Sequence, residues 1–498
     1  MHPRNIYRDG LDFTQIAAEY PPLARYLGGS NNQTINFQDE GALRCLTEAL
    51  LHRDFKLKIK LSDDRLCPPV PNRLNYVLWI QDLVSASRYM EMNQGTTARG
   101  IDIGTGASAI YPLLACTLEP SWEFIVSEID LLSCTTAQEN ISTNNLGKRI
   151  QLVQSDEHSS TLLPLFLNRD KTFDFTMCNP PFYSSVGDIA RSGEAKLQGP
   201  NAACTGAQVE MVTSGGEAAF VGKMIGESME TREQCRWYTS MLGKLSSVVE
   251  VVDMIKSHSI HNYIITEFVQ GQTRRWAVGW SFLDIRIPDT ISRIRSPNST
   301  LSHCMPAHNT ILQPISSISD ESLNDTLLGI LSSLNDVRIQ QHWKESEEKQ
   351  KWKREQDRDA SDIAAPGAAN AAIQTIQAKT RPDLLVLAHR DTWSRGARRR
   401  EKRQVSEAII TTRPGEGNKQ PEQEAAASLP VEIGMACSIR IRGADTNTNV
   451  DVNEDGIMDV EEQKEFIVEF EWRKGWDRGL FESFGSHVSR RLVSSPRG

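Results

Sequence analysis

Two stretches of the chain carry residue types suited to group transfer. The first is Phe173-Asp-Phe-Thr-Met-Cys-Asn179-Pro180-Pro181-Phe182-Tyr183, an apolar run that stops at Asn-Pro-Pro-aromatic. Two prolines fix φ and remove backbone donors, so a strand must end there and Asn179 is held at its carboxyl end. An exocyclic amine conjugated to a ring is a poor nucleophile because its lone pair is delocalised. The Asn179 side-chain carbonyl and the Pro180 main-chain carbonyl can accept both N–H bonds of such an amine, favouring a pyramidal nitrogen aimed at a methyl donor. No proton need leave before attack, so the motif asks for no strong base. Phe182 or Tyr183 would stack on the ring, and catalysis becomes mostly positioning. A plain proline turn between strand and loop is the competing reading.

The second stretch is Gly100-Ile-Asp102-Ile-Gly104-Thr-Gly106-Ala-Ser108, a β-run ending in an acid and turned by glycines into a helix expected from Ala107. Glycines let the backbone approach a ligand and adopt dihedrals closed to other residues, although a structural turn explains such a pair equally well. Downstream, Phe124-Ile-Val-Ser-Glu128 is an apolar strand ending in an acid. In a doubly wound sheet Glu128 would lie beside the glycine turn, where its carboxylate can accept both ribose hydroxyls. Ala109 stands where a pyrophosphate-binding third glycine would be. A ribose-binding acid without that glycine suits S-adenosylmethionine better than NAD. A solvated acid at a strand end is the alternative for Glu128.

These residues need a scaffold. Apolar runs at 99–103, 122–127, 150–154, 173–178, 248–254 and 264–268 suit strands, and several intervals between them have room for helices. That alternation predicts an α/β fold with a doubly wound sheet. Residues 39–51 and 72–83 have helical apolar spacing and form an N-terminal helical extension. The expected organisation is an extension over 1–70, a Rossmann-like domain over 71–288, and a linker with a long charged helix (321–358) over 289–360. A disordered linker over 361–429 and a small C-terminal α+β segment over 430–498 complete it. Within the core, 187–216 has no clear period and reads as a lid or disorder.

The 498 residues carry a formal net charge of −9, and residues 1–290 hold 26 Lys and Arg against 33 Asp and Glu. Bulk charge therefore excludes a coat for polyanions, and any nucleic acid must be held by local basic patches. Apolar runs are too short for a membrane span of about 20 residues, and the Met1-His-Pro-Arg-Asn start has no secretory character. The 9 cysteines form no C-x-x-C pair, which argues against a disulfide framework and a cysteine zinc site, and for a reducing compartment.

Together these residues resemble the methyltransferase-like-16 family of adenine-N6 RNA methyltransferases. The resemblance extends over residues 1 to about 285, through His2-Pro-Arg-Asn-Ile-Tyr7, Val70-Pro-Asn-Arg-Leu-Asn-Tyr76, residues 100–114, Cys178 to Phe182, Arg236-Trp-Tyr-Thr-Ser-Met-Leu-Gly-Lys244 and residues 266–282. It implies a class I S-adenosylmethionine-dependent Rossmann-like fold that methylates adenine in a structured RNA. The implied target is U6 small nuclear RNA, as a hairpin with a UACAGAGAA-type sequence, and the implied location is the nucleus, with the cytoplasm also open. Carried over residue by residue, Arg73, Asp102, Gly104, Gly106, Ser108, Glu128, Thr161 and Asn179 would serve the cofactor. Asn179, Pro180, Pro181 and Phe182 would hold the adenine. Arg4, Asn5, Tyr7, Arg8, Lys244, Arg274 and Arg275 would meet RNA. Gln272 departs from the family's G-R-T-x-R-W pattern, and Tyr183 replaces a common Phe.

Weaker signals remain. Arg395-Gly-Ala-Arg-Arg-Arg-Glu-Lys-Arg403 reads equally as a nuclear-import or RNA-clamping segment and as a solvated charge run. Asp451, Asn453, Asp455 and Glu462 fit calcium-loop spacing around Gly456, but no helix precedes them, so an acidic connection is preferred. Trp276 and Trp280 read as packing in preference to base stacking, although the resemblance implies that Trp276, with Arg275, would touch RNA. Two other functions stay open: a protein glutamine-N5 methyltransferase, disfavoured by Phe182 and the basic N-terminal arm, and an RNA-binding factor that keeps the fold without turnover.

Overall fold

Strand β1 (Arg99–Ile103) contains a glycine because aromatic rings from its two neighbours close over it. A Cβ at Gly100 would lie 2.5 Å from Phe175 and 2.7 Å from Phe124. In the computed structural model, residues 1–29, 33–90, 97–155, 161–167, 170–188, 206–317, 319–342, 383–400, 403, 433–443 and 464–495 are described. The chain divides into two units, Met1–Ala307 and His308–Gly498.

In the first unit β1 is joined by β2 (Glu123–Glu128), β3 (Ile150–Gln154), β4 (Phe173–Cys178), β5 (Cys235–Leu242), β6 (Asn262–Gln270) and β7 (Thr273–Ser281). Their order is β3-β2-β1-β4-β5-β7-β6. The first five strands run parallel, and β7 is antiparallel to both of its neighbours. Strand order reverses between β1 and β4, so a crevice opens at their carboxyl ends, where ligands bind in such sheets.

Both sheet faces are covered. After a short first helix, α1 (Phe13–Glu19), one face packs against α2 (Glu40–Phe55), α3 (Val70–Ser87), α4 (Ile110–Leu118) and α5 (Leu131–Thr143), through residues such as Leu50, Trp79, Leu114 and Ile141. The other packs against α6 (Gly216–Thr231) and α7 (Leu245–Ser257), through Val221, Met224, Val248 and Val252. Caps fix where helices start: Asp39 accepts from Ala42 N ahead of α2, and Asp130 accepts from Ser133 N ahead of α5.

Several sequence expectations need correction. Residues 248–254 are helical, not a strand: Val248, Val251, Val252 and Ile255 are buried at helical spacing. Strands β5 and β7 had not been foreseen. The boundary at 288 is also displaced. Trp79 Nε1 donates to Ile291 O at 3.0 Å, Tyr263 Oη donates to Cys304 O at 3.0 Å, and Leu301 is buried in the first unit's core. The N-terminal extension shares that core too, through Tyr7, Ile16 and Leu23.

The second unit is a five-stranded antiparallel sheet with two helices. Strands β8 (Thr310–Ser317), β9 (Val337–His342), β10 (Asp383–Ala388), β11 (Met435–Gly443) and β12 (Lys464–Lys474) lie in the order β8-β12-β11-β10-β9. Helices α8 (Asp320–Ser332) and α9 (Arg478–Ser494) contribute to its core, where Trp472 stacks on Phe481 at 5.5 Å. The single long helix expected over 321–358 ends at Ser332; Asp336 then takes a left-handed turn (φ 55) and β9 follows. The stretch read as linker over 361–429 contains the fully buried strand β10, and its basic cluster begins in helical backbone over 395–400. The C-terminal sheet therefore recruits strands from 310 onward. The calcium-type loop at 451–462 lies outside the described residues. Among the described residues no helix is long and apolar enough to cross a membrane, and no cluster suits a metal ion.

Candidate active site

The turn after β1 is built from left-handed residues. Gly104 (φ +67), Gly106 (φ +65) and Ala109 (φ 49) carry the chain around, and α4 starts at Ile110, later than expected. Thr105 N donates to Ser127 O at 3.0 Å, tying the turn to β2, and Thr105 Oγ1 donates to Asp102 Oδ2 at 2.7 Å. Asp102 is fully buried beneath the turn and its Oδ1 has no partner among the described residues. Burial pushes its carboxyl up to about 7.

Glu128 ends β2 beside this turn. Its Oε2 accepts from Gly106 N at 2.9 Å, and its Oε1 accepts from Ile129 N at 2.9 Å and Asp130 N at 3.0 Å. Three main-chain donors thus hold the carboxylate in place. On the other side of β1, β4 stops at Cys178 and leaves Asn179 at the switch point. Asn179 Oδ1 is buried and has no hydrogen-bond donor among the described residues.

Arg73 enters from the first turn of α3. It is 6% exposed, donates to Tyr111 Oη at 3.0 Å, and lies 5.5 Å from the centre of the Tyr111 ring. It forms no ion pair among the described residues. Arg73, Gly104, Gly106, Ser108, Glu128, Thr161, Asn179, Pro180 and Pro181 all line one cavity of about 410 Å³. Asp102 does not line it but supports its floor from below.

Phe182 lies outside that cavity. A Cβ at Gly243 would sit 2.8 Å from its ring, and the Arg275 guanidinium lies 5.5 Å from the ring centre. Desolvation and neighbouring Arg73 lower the Arg275 pKa. Lys244 pairs with Asp188 at 3.1 Å and sits 5.2 Å from the centre of the Tyr183 ring. Glu217, which sequence reasoning missed, fixes this corner: its buried carboxylate accepts from Gly243 N at 2.7 Å and Lys244 N at 2.8 Å.

The N-terminal residues divide. Asn5 is 3% exposed and donates to Pro71 O and Asn75 Oδ1, while Tyr7 is 2% exposed and donates to Asp54 Oδ2 at 2.7 Å. Both side chains pin the arm to the core, with their polar atoms engaged there and turned away from solvent. Arg4 is engaged with Asp82 and Gln81 on α3, and Arg8 is exposed beside Asp9. Arg274 is exposed and pairs with Glu267 at 3.0 Å. Trp280 is fully buried, stacks on Tyr238 and donates to Ser228 Oγ; Trp276 is buried as well.

Sequence reasoning also missed Leu66, Tyr111, Glu210, Thr213 and Lys223, which line the same cavity. The described end of the 187–216 stretch is thus part of the site. Tyr183 N donates to Met211 O at 3.0 Å and Thr213 N to Tyr183 O at 2.9 Å, so the segment after Asn-Pro-Pro pairs with it. No residue spacing marks these positions, because they converge only through tertiary structure.

The strand order with a reversed seventh strand, the glycine turn at the switch point and the acid ending the next strand define a class I methyltransferase fold. A family model of RNA methyltransferases matches residues 1–284, and the chain belongs to that family. Among similar proteins is the RNA N(6)-adenosine-methyltransferase mettl16 of Danio rerio, 38% identical over 289 residues that make up 57% of this chain and 59% of the relative. Another is the U6 small nuclear RNA (adenine-(43)-N(6))-methyltransferase of Schizosaccharomyces pombe, 41% identical over 275 residues, 55% of this chain and 69% of the relative. The chain spans 53% of the length of the Homo sapiens METTL16 enzyme. The crystal structure of the hMettl16 catalytic domain in complex with MAT2A 3'UTR hairpin 1 is similar with a TM-score of 0.53 and 35% identity, covering 60% of this chain and 99% of that one.

Proposed function

We propose that the chain is an S-adenosylmethionine-dependent RNA methyltransferase that forms N6-methyladenosine in a structured RNA, U6 small nuclear RNA with a UACAGAGAA-type sequence, in the nucleus. The observation that carries this reading is Asn179 Oδ1, a buried acceptor without a donor at the switch point of the sheet. Buried acceptors are rarely left unpaired, and an adenine N6–H is a donor of the right kind.

The cavity suits the cofactor. Arg73 is a buried cation without a carboxylate partner among the described residues, and the amino-acid end of S-adenosylmethionine carries a carboxylate. Glu128 is held by main-chain donors with acceptor capacity left toward the glycine turn, where a ribose would be bound. When bound, the cofactor supplies an electrophilic methyl group on its sulfonium. Asn179 Oδ1 and the Pro180 carbonyl accept the two N6–H bonds and hold the nitrogen lone pair toward that methyl. Phe182 stacks on the base, with Arg275 beside it to meet a phosphate. The proton leaves after attack, so no residue need act as a strong base.

The relatives support the substrate class through the adenine-N6 and U6 activities in their names and through the bound RNA hairpin. Incubation with labelled S-adenosylmethionine and a U6 hairpin tests the reading. Labelled N6-methyladenosine is the expected product; label in protein glutamine would replace the proposal with the glutamine-N5 reading.

A further inference from the structure

Glu128 has less capacity left than its position suggests. A carboxylate offers about four lone-pair sites, and three are filled: two on Oε1 by Ile129 N and Asp130 N, one on Oε2 by Gly106 N. A ribose brings two vicinal hydroxyl donors, and Glu128 can take one. The opposite wall supplies another acceptor. Glu210, in the single helical turn Gln208–Met211, lines the same cavity. Its Oε2 accepts from Leu66 N and Ala207 N, each at 2.9 Å, and its Oε1 has no such main-chain contact among the described residues. A Cβ at Gly106 would lie 3.7 Å from Glu210 Oε1. The two carboxylates therefore flank one glycine.

Resting on the cofactor reading above, we propose that Glu210 is a second cofactor-binding carboxylate: it accepts the ribose hydroxyl that Glu128 has no lone pair left to take. Recognition of the diol is then divided between the end of β2 and the segment that pairs with Tyr183. Binding in this cavity thereby tightens the pairing that follows Asn179-Pro180-Pro181. The surroundings agree with a carboxylate that lacks a dedicated cation. Burial raises the Glu210 pKa against the opposing pull of the Ala207 and Leu66 amides and Arg65, and neighbouring Glu128 adds to the rise. Arg65 itself is engaged by Asp130 at 2.9 Å and Asp64 at 2.7 Å.

Calorimetric binding of S-adenosylhomocysteine and its 2'-deoxy and 3'-deoxy analogues to the full chain tests the proposal, with E210A and E210Q alongside. A lost hydrogen bond to a charged acceptor predicts at least about tenfold weaker binding by E210A. One deoxy analogue should lose a similar factor with the parent protein and no further affinity on E210A. E210Q keeps the size of the side chain and an acceptor for Leu66 N and Ala207 N, so its loss would report the missing carboxylate and not a collapsed segment. Binding of S-adenosylhomocysteine to E210A within about twofold of the parent would overturn the proposal. Equal losses by E210A for all three ligands would overturn it too, because Glu210 would then act only through the fold. A parent protein that binds no S-adenosylhomocysteine would remove the cofactor reading first, and the assignment of Glu210 with it.

Discussion

Replacing Arg73 with Met should separate binding from folding, because ligand affinity is expected to fall while stability is nearly kept. In the free protein the guanidinium is buried, donates to the neutral Tyr111 hydroxyl at 3.0 Å and faces the Tyr111 ring at 5.5 Å. Desolvating a charge costs several kcal/mol. The hydrogen bond from this charged donor returns about 1.5–3 kcal/mol and the ring contact up to about 2 kcal/mol. Met fills similar space without the charge. Losing the cation leaves no new buried anion either: Arg73 now lowers the raised Asp102 pKa, so its removal drives Asp102 further toward the neutral acid. The unfolding free energy of R73M without ligand should therefore lie within about 2 kcal/mol of the parent's. Binding of S-adenosylhomocysteine should weaken by about 10- to 150-fold, the equivalent of a charge-assisted carboxylate contact of roughly 1.5–3 kcal/mol. Urea unfolding and calorimetry on the same preparations measure both. A variant destabilised by more than about 2 kcal/mol that still binds within about twofold would refute the reasoning and make Arg73 a structural residue.

Three other substitutions probe separate parts of the account. Asp102 binds its proton more tightly folded than unfolded, so its contribution is fully present below about pH 4 and fades as pH rises toward 7. Between pH 5 and 8 the parent should lose roughly 3 kcal/mol relative to D102N in urea unfolding; a pH-independent difference would contradict this. Gly243→Ala would press a Cβ to 2.8 Å from the Phe182 ring, so RNA methylation should fall about tenfold or more while S-adenosylhomocysteine affinity stays within about twofold. Tyr7→Phe removes a hydrogen bond to Asp54 and should lower stability by about 1–2 kcal/mol without changing RNA affinity; a loss of RNA affinity in a filter-binding assay would restore Tyr7 as a contact.

The parts of the site written on single strands and turns were legible in the sequence. Asn179-Pro180-Pro181 could only end a strand, Gly104 and Gly106 could only turn one, and Glu128 follows from a strand of ordinary length. What failed did so for physical reasons. The run over 248–254 is apolar enough for a strand, and its helical period becomes plain only over the full length of α7. Asn5 and Tyr7 have polar atoms that suit RNA equally well until their burial against Asn75 and Asp54 is known. Glu210 sits in a stretch with no period and Glu217 just beyond it in the first turn of α6, and their roles come from main-chain donors contributed by residues distant in sequence, such as Leu66 and Gly243. Strand β10 was hidden because its flanks are polar and rich in alanine, so a short apolar run looked like part of a linker.

The most direct measurement is methyl transfer from labelled S-adenosylmethionine to a U6 hairpin carrying the UACAGAGAA-type sequence, read by nucleoside mass spectrometry for the parent chain and Asn179→Ala. The parent is expected to give N6-methyladenosine and the variant at least about a hundredfold less, because it keeps the cavity but loses the acceptor. Equal product from both proteins, or no product from a parent shown to bind cofactor and RNA, would contradict it.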